Sequence, residues 1–105
     1  MRKVEYLRLP NGHEPAREWL MELDLVMRQK VRAYIDRVAA GGGKKNIRAL
    51  GDSIFEIKVK FGSGYRVYFA EEGKMILLLL LGGDKSTQQR DIEKAKTYWR
   101  EHVSK

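Results

Sequence analysis

The spacing of polar and apolar positions changes period midway along the chain. In residues 3–9, "KVEYLRL", Val4 and Tyr6 stand two apart, while Leu7 and Leu9 break the alternation. That spacing predicts a first strand, closed by the turn residues "PNG". A helix is predicted from Pro15, a favourable first-turn residue, with Ala16, Trp19, Leu20 and Leu23 at helical intervals. Asp24 is placed to cap a second helix, whose apolar stripe is Met27, Val31, Tyr34, Ile35 and Val38. The glycines at 41–43 end it.

Past residue 50 the period falls to two. "SIFEIKVKF" puts Phe55, Ile57, Val59 and Phe61 on one face and Glu56, Lys58 and Lys60 on the other. "YRVYFA" follows, then an "EEGK" turn, then Met75 to Leu81, apolar at every position. Such a run predicts a strand covered on both faces. After "GGDK" a closing helix is predicted, with Ser86 and Gln89 at capping-box spacing and Ile92, Ala95, Trp99 and Val103 turned inward. The predicted order is β-α-α-β-β-β-α. It describes a single α+β domain over residues 1–105: a small twisted antiparallel sheet packed against an N-terminal helical pair, with a C-terminal helix.

Side-chain parity constrains the hairpin around "FGSGY". A two-residue Gly62-Ser63 turn would mix charged and apolar faces. A three-residue loop, 62–64, sets Phe61 opposite Tyr65, Val59 opposite Val67 and Ile57 opposite Phe69. It also sets Lys60 opposite Arg66 and Lys58 opposite Tyr68. Like charges directly opposed destabilise a sheet. Three cations on one face therefore point to an anion held between them. The plain alternative is solvated lysines, with Glu56 neutralising one.

Composition narrows the chemistry. The formal charge is +7, from 21 basic and 14 acidic residues, which favours a polyanionic partner: nucleic acid, ribosome or an acidic protein. The chain has no cysteine and two histidines. That excludes a disulfide framework, a thiolate nucleophile and a cysteine or histidine metal cluster, and no cofactor is expected. The longest apolar run, Met75 to Leu81, falls far short of the roughly 20 residues that span a bilayer. No secretory leader is visible, so a cytoplasmic protein without a membrane partner is expected. Lys85 follows the central strand at the mouth of a helix N-terminus, a favourable place for an anion. Lys44, Lys45 and Arg48 widen the basic surface. "GGGK" at 41–44 follows a helix rather than a strand, so it reads as a helix stop and not a phosphate loop. Trp19, Tyr34 and Trp99 read as core, and His13 and His102 as incidental.

The blocks "GYRVYF" and "GGDKS", within residues 50–99, resemble the RelE/ParE superfamily of toxins, the addiction-module killer proteins of type II toxin–antitoxin systems. The likeness is to the HigB-like, phage-derived branch, and the helical first half and strand order fit it too. The resemblance implies a RelE-like fold and a cognate antitoxin of helix-turn-helix type, with operator DNA reached only through that antitoxin. It also implies a metal-independent, ribosome-dependent endonuclease acting on mRNA, an mRNA interferase that inhibits translation. Carried over by position, Arg66 matches the key arginine, Lys58 and Lys60 the strand cations, and Lys85 the basic position after the central strand. Lys44, Lys45, Arg48 and Tyr68 are then RNA contacts, and Tyr98 and His102 stand near the position of a C-terminal catalytic residue. In such a reaction the RNA 2′-hydroxyl is the nucleophile. A lysine would accept its proton, Arg66 would stabilise the phosphorane, and Lys85 would position the phosphate or protonate the leaving oxygen. On this reading Arg66→Ala abolishes activity and spares the fold. A ParE-like inhibitor of DNA gyrase and a non-catalytic RNA- or protein-binding module are the alternatives.

Overall fold

The computed structural model describes residues 1–104. Strand β1 (Lys3–Tyr6) leads into helices α1 (Pro15–Glu22) and α2 (Leu25–Ala39). Four strands follow, β2 (Ile47–Gly51), β3 (Ile54–Lys58), β4 (Arg66–Glu72) and β5 (Ile76–Gly83), and then helix α3 (Gln88–Val103). The strands form one mixed sheet in the order β1-β5-β4-β3-β2.

The sheet is buried on both sides. On one side Leu20 of α1 and Val31, Ile35 and Val38 of α2 pack on Ile57, Val67, Phe69, Leu77 and Leu79. On the other, Ala95 of α3 packs with Ile54, Tyr68, Ala70, Leu78 and Leu80. Alternate residues of β5 thus enter opposite cores, as its unbroken apolar run predicts. Pro15 opens α1, and the Asp24 carboxylate accepts from the Met27 amide at 2.9 Å to cap α2. Among the described residues, no helix is long and apolar enough to cross a membrane.

The α+β class and the order of the predicted elements hold, with differences of detail. The strand β2 was not expected: it is an edge strand of mostly exposed residues, so its sequence carries little apolar alternation. It joins β3 through Asp52 and Ser53, both at positive φ (56° and 65°), the mirror-image turn that suits a two-residue hairpin. The sheet is not wholly antiparallel, because β1 pairs with β5 in parallel. That pairing joins strands far apart in sequence, beyond the reach of reasoning from short turns.

The hairpin register also differs. Lys58 pairs with Arg66 and Ile57 with Val67, and the Val59 amide donates to the Tyr65 carbonyl at 2.8 Å. The connection is therefore residues 60–64, two longer than parity alone suggested. The parity, and so the assignment of faces, is unchanged. Tyr65 packs edge-on to Trp19 at 5.9 Å instead of facing Phe61. The start of α3 differs as well. Rather than a Ser86–Gln89 box, the Asp84 carboxylate accepts from the Ser86 amide and hydroxyl, in a short turn that precedes the helix.

The end of β5 is held by contact. A Cβ on Gly82 would lie 2.0 Å from the Trp19 ring, and one on Gly83 would lie 2.0 Å from the Asp91 carboxylate. Both glycines are there because helices lie directly on the strand. Gly82→Ala should therefore cost about 3 kcal/mol through overpacking. A urea midpoint equal to that of the parent protein would show that Trp19 moves aside freely.

Candidate functional site

Helix α3 covers the sheet only from Gln88 onward. The ends of β3 and β4 that lie beyond it carry Glu56, Lys58 and Arg66 on the same face as Ile54 and Tyr68. That uncovered corner is a cleft of about 360 Å³, lined by Lys45, Arg48, Glu56, Lys58, Lys60 and Arg66, with Asn46 and Gln88 at its edge. Five cations against one carboxylate leave a formal excess of four positive charges.

The carboxylate organises the floor. Glu56 is 4% exposed. It accepts from the Gln88 amide at 2.9 Å and pairs with the Arg48 guanidinium at 3.2 Å. Arg66 Nε lies 3.7 Å from the same carboxylate. Arg66 is 5% exposed and donates through Nη1 to the Gly64 carbonyl at 2.6 Å, which ties the hairpin loop to the cleft. Its Nε is buried and has no acceptor within hydrogen-bonding distance. A buried donor without a partner is costly. The Glu56 carboxylate 3.7 Å away offsets part of that cost, and the accessible cations of the cleft are Arg48, Lys58 and Lys60, where the planar guanidinium of Arg48 suits a phosphate. Glu56 adds an acceptor that can take a hydroxyl proton.

The predicted site residues divide between the cleft and the rest of the surface. Arg66, Lys58, Lys60, Lys45 and Arg48 meet in it. Lys44 and Lys85 do not line it. Lys85 stands exposed behind the hairpin, where a Cβ built on Gly64 would lie 3.6 Å from its own Cβ. Tyr68 is fully buried between β3 and β5 and presents no surface to RNA. Burial pushes its hydroxyl pKa well up, and the nearby Glu56 and Asp91 charges push it further, so it is a neutral phenol. Tyr98 and His102 lie elsewhere. His102 bonds Glu72 at 2.6 Å and stacks on Trp99.

Tyr98 lines a larger groove of about 680 Å³ between α1 and α3. That groove mixes Glu18, Glu22, Asp84 and Asp91 with Arg90 and Lys94, and Asp91 is already bonded by Thr87 at 2.5 Å. Its four carboxylates outnumber its two cations, so of the two concavities only the smaller cleft carries an excess of positive charge. Among the described residues, no group of three or more His, Asp or Glu side chains is arranged to hold a metal ion.

Sequence reasoning gave Glu56 only as neutralising one cation, whereas it pairs with two arginines, and it missed Gln88. A signal for Glu56 was present, since it alternates with Lys58 and Lys60 on the polar face. Nothing in the spacing shows that Gln88, 32 positions away, reaches it.

Residues 18–100 match the family described as phage derived protein Gp49-like. A protein of Haemophilus influenzae is 42% identical over 79 residues, 74% of this chain and 79% of its own length, and is described as an uncharacterized protein.

Burial changes what Arg66→Ala should do. It leaves Glu56 buried with one cation fewer and should cost about 2 kcal/mol of stability, less than a fully unpaired buried charge because Arg48 and Gln88 stay. Urea denaturation of this variant checks it, and an unchanged midpoint would show that Arg48 and Gln88 suffice. A second test concerns the turn before α3. The Ser86 hydroxyl and amide hold the Asp84 carboxyl below its ordinary pKa. The turn is therefore fully stabilised above the ordinary aspartate value and loosens only as pH falls through the lower, folded one. The Ser86 amide resonance should stay put until that lower pH. A midpoint at or above the ordinary aspartate value would show that these bonds are absent in solution.

Proposed function

The chain belongs to the phage-derived Gp49-like family, and on that premise we propose that it is the toxin of a toxin–antitoxin pair, a ribosome-dependent endonuclease acting on mRNA. The observation that carries the reading is the cleft's excess of cations, five against the single carboxylate of Glu56. A scissile phosphodiester is the ligand that such a cleft fits. A cognate antitoxin would hold the protein inactive.

In this mechanism the ribose 2′-oxygen attacks the adjacent phosphorus, a P–O2′ bond forms and the P–O5′ bond breaks. The 2′-hydroxyl proton passes to the Glu56 carboxylate on the cleft floor. Arg66 and Arg48 meet the charge that grows on the non-bridging oxygens, a role for preorganised donors. A protonated lysine, Lys58 or Lys60, gives its proton to the leaving 5′-oxygen. The products are a 2′,3′-cyclic phosphate and a free 5′-hydroxyl, and no group outside the chain and its RNA is consumed. Lys85, outside the cleft, is left to contact RNA or ribosome beyond the scissile bond.

The test uses the two exposed lysines, whose loss should spare the fold. Brief expression of the chain alone should arrest growth and leave message ends within translated codons. Lys58→Ala and Lys60→Ala should each slow that cleavage roughly a hundredfold, as loss of one charge-stabilising donor does elsewhere. Double-strand DNA breaks with intact messages would instead indicate a gyrase inhibitor. Growth without arrest would leave a binding module.

A further inference from the structure

The basic surface continues beyond the cleft, across the hairpin loop to the α2 side of the sheet. Phe61 sits in that loop, 37% exposed. Its ring stands at 90° to the Tyr34 ring, with centroids 5.9 Å apart. The Lys30 ammonium lies 4.2 Å from the Phe61 centroid, and the Arg37 guanidinium lies 5.8 Å from the Tyr34 centroid. Lys30, Tyr34 and Arg37 recur at intervals of four and three, so they share one face of α2. Lys30, Phe61, Tyr34 and Arg37 thus form a row of two rings flanked by two cations. Phe61 directly follows Lys60, which lines the cleft.

Core packing accounts for Tyr34, which packs against the α1–α2 side core, but not for the exposed Phe61. A tighter hairpin would have paired Phe61 with Tyr65, whereas the five-residue connection, 60–64, lifts Phe61 out of the ladder. Among the described residues, neither Lys30 nor Arg37 has a carboxylate at ion-pair distance. The rings between them are part-exposed, Phe61 more than Tyr34.

We propose that the row is a track for single-stranded RNA that continues from the phosphate held in the cleft. One base stacks at Phe61 and Tyr34, and the neighbouring phosphates meet Lys30 and Arg37. The proposal rests on reading the cleft as an RNA phosphate site. Single strands are bound elsewhere by this same pairing of aromatic faces for bases with cations for the backbone. An acidic protein segment would use the cations and leave the rings idle. A duplex keeps its base faces stacked inside.

Two probes separate track from cleft: a 2′-O-methyl RNA dinucleotide, which fills the cleft alone, and a 2′-O-methyl RNA of about nine nucleotides, long enough to reach the row at several ångströms per residue. Neither can be cleaved, and both are titrated at low salt by fluorescence anisotropy. Phe61→Ala should weaken the longer RNA roughly tenfold, and Phe61→Trp should restore it, as stacking on any large ring allows. Lys30→Ala should lower the slope of log affinity against log salt by about 0.7, one single-strand phosphate contact. Neither alanine variant should change the dinucleotide, while Lys58→Ala should weaken both probes. Unchanged binding of the longer RNA to Phe61→Ala would overturn the track and leave the cleft standing. So would a tenfold loss by that variant for polyglutamate of matching charge, because the row would then be a protein-binding patch. Dinucleotide binding that ignores Lys58→Ala would overturn the cleft reading, and the track with it.

Discussion

One sheet, covered on both faces by only three helices, is the constraint from which the rest follows. A chain of 105 residues can build two small cores this way, but its helices cannot reach every corner. The α1–α2 pair covers the first face. Helix α3 covers the second only from Gln88 onward, because the Gly82–Gly83 end of β5 and the Asp84 turn come first. The ends of β3 and β4 are left without a helix over them. A sheet face in that position must be polar, and the sequence makes it cationic. Site and core are two outcomes of one shortage of helix.

Within that corner Glu56 keeps the cations together. Without a counter-charge, Arg48, Lys58 and Arg66 would repel one another across adjacent strands. A buried carboxylate paired with arginines adds little net stability, because desolvation offsets much of the attraction. Its value is geometric. It draws Arg48 of β2 and Arg66 of β4 toward one point and leaves a guanidinium donor unsatisfied there. An incoming phosphate would exchange partners with Glu56 instead of ordering two mobile side chains, so the ordering cost of binding is met during folding.

Much of this arrangement is legible in the sequence because local rules govern it. Pro15 and Asp24 begin helices, the stripe of α2 faces inward, and the alternation in β3 separates Ile57 from Glu56 and Lys58. What failed needed distance information. The parallel β1–β5 pair and the Gln88–Glu56 bond join segments that no turn connects. The hairpin register slipped by two because parity is blind to even shifts, and that slip exchanges Lys60 for Lys58 opposite Arg66. Tyr68 looked like an RNA contact for a related reason. Its position on the charged face was read correctly, but the approach of α3, which buries it, is a tertiary fact. Tyr34 reads as core and does pack against it, though half-buried and beside an exposed ring.

The parallel pairing of β1 has a consequence for how the protein is made. The first strand leaves the ribosome early, yet its hydrogen-bonding partner is β5, more than two thirds of the chain later. Pairing so distant in sequence is slow, because a long loop must close before any contact rewards it. Until β5 has emerged, the nascent chain can form α1, α2 and the hairpins of β2, β3 and β4 but cannot lock β1 to the sheet. Gln88, which steadies Glu56, emerges later still. The cleft is therefore completed only once Gln88 has emerged, after all the strands that line it.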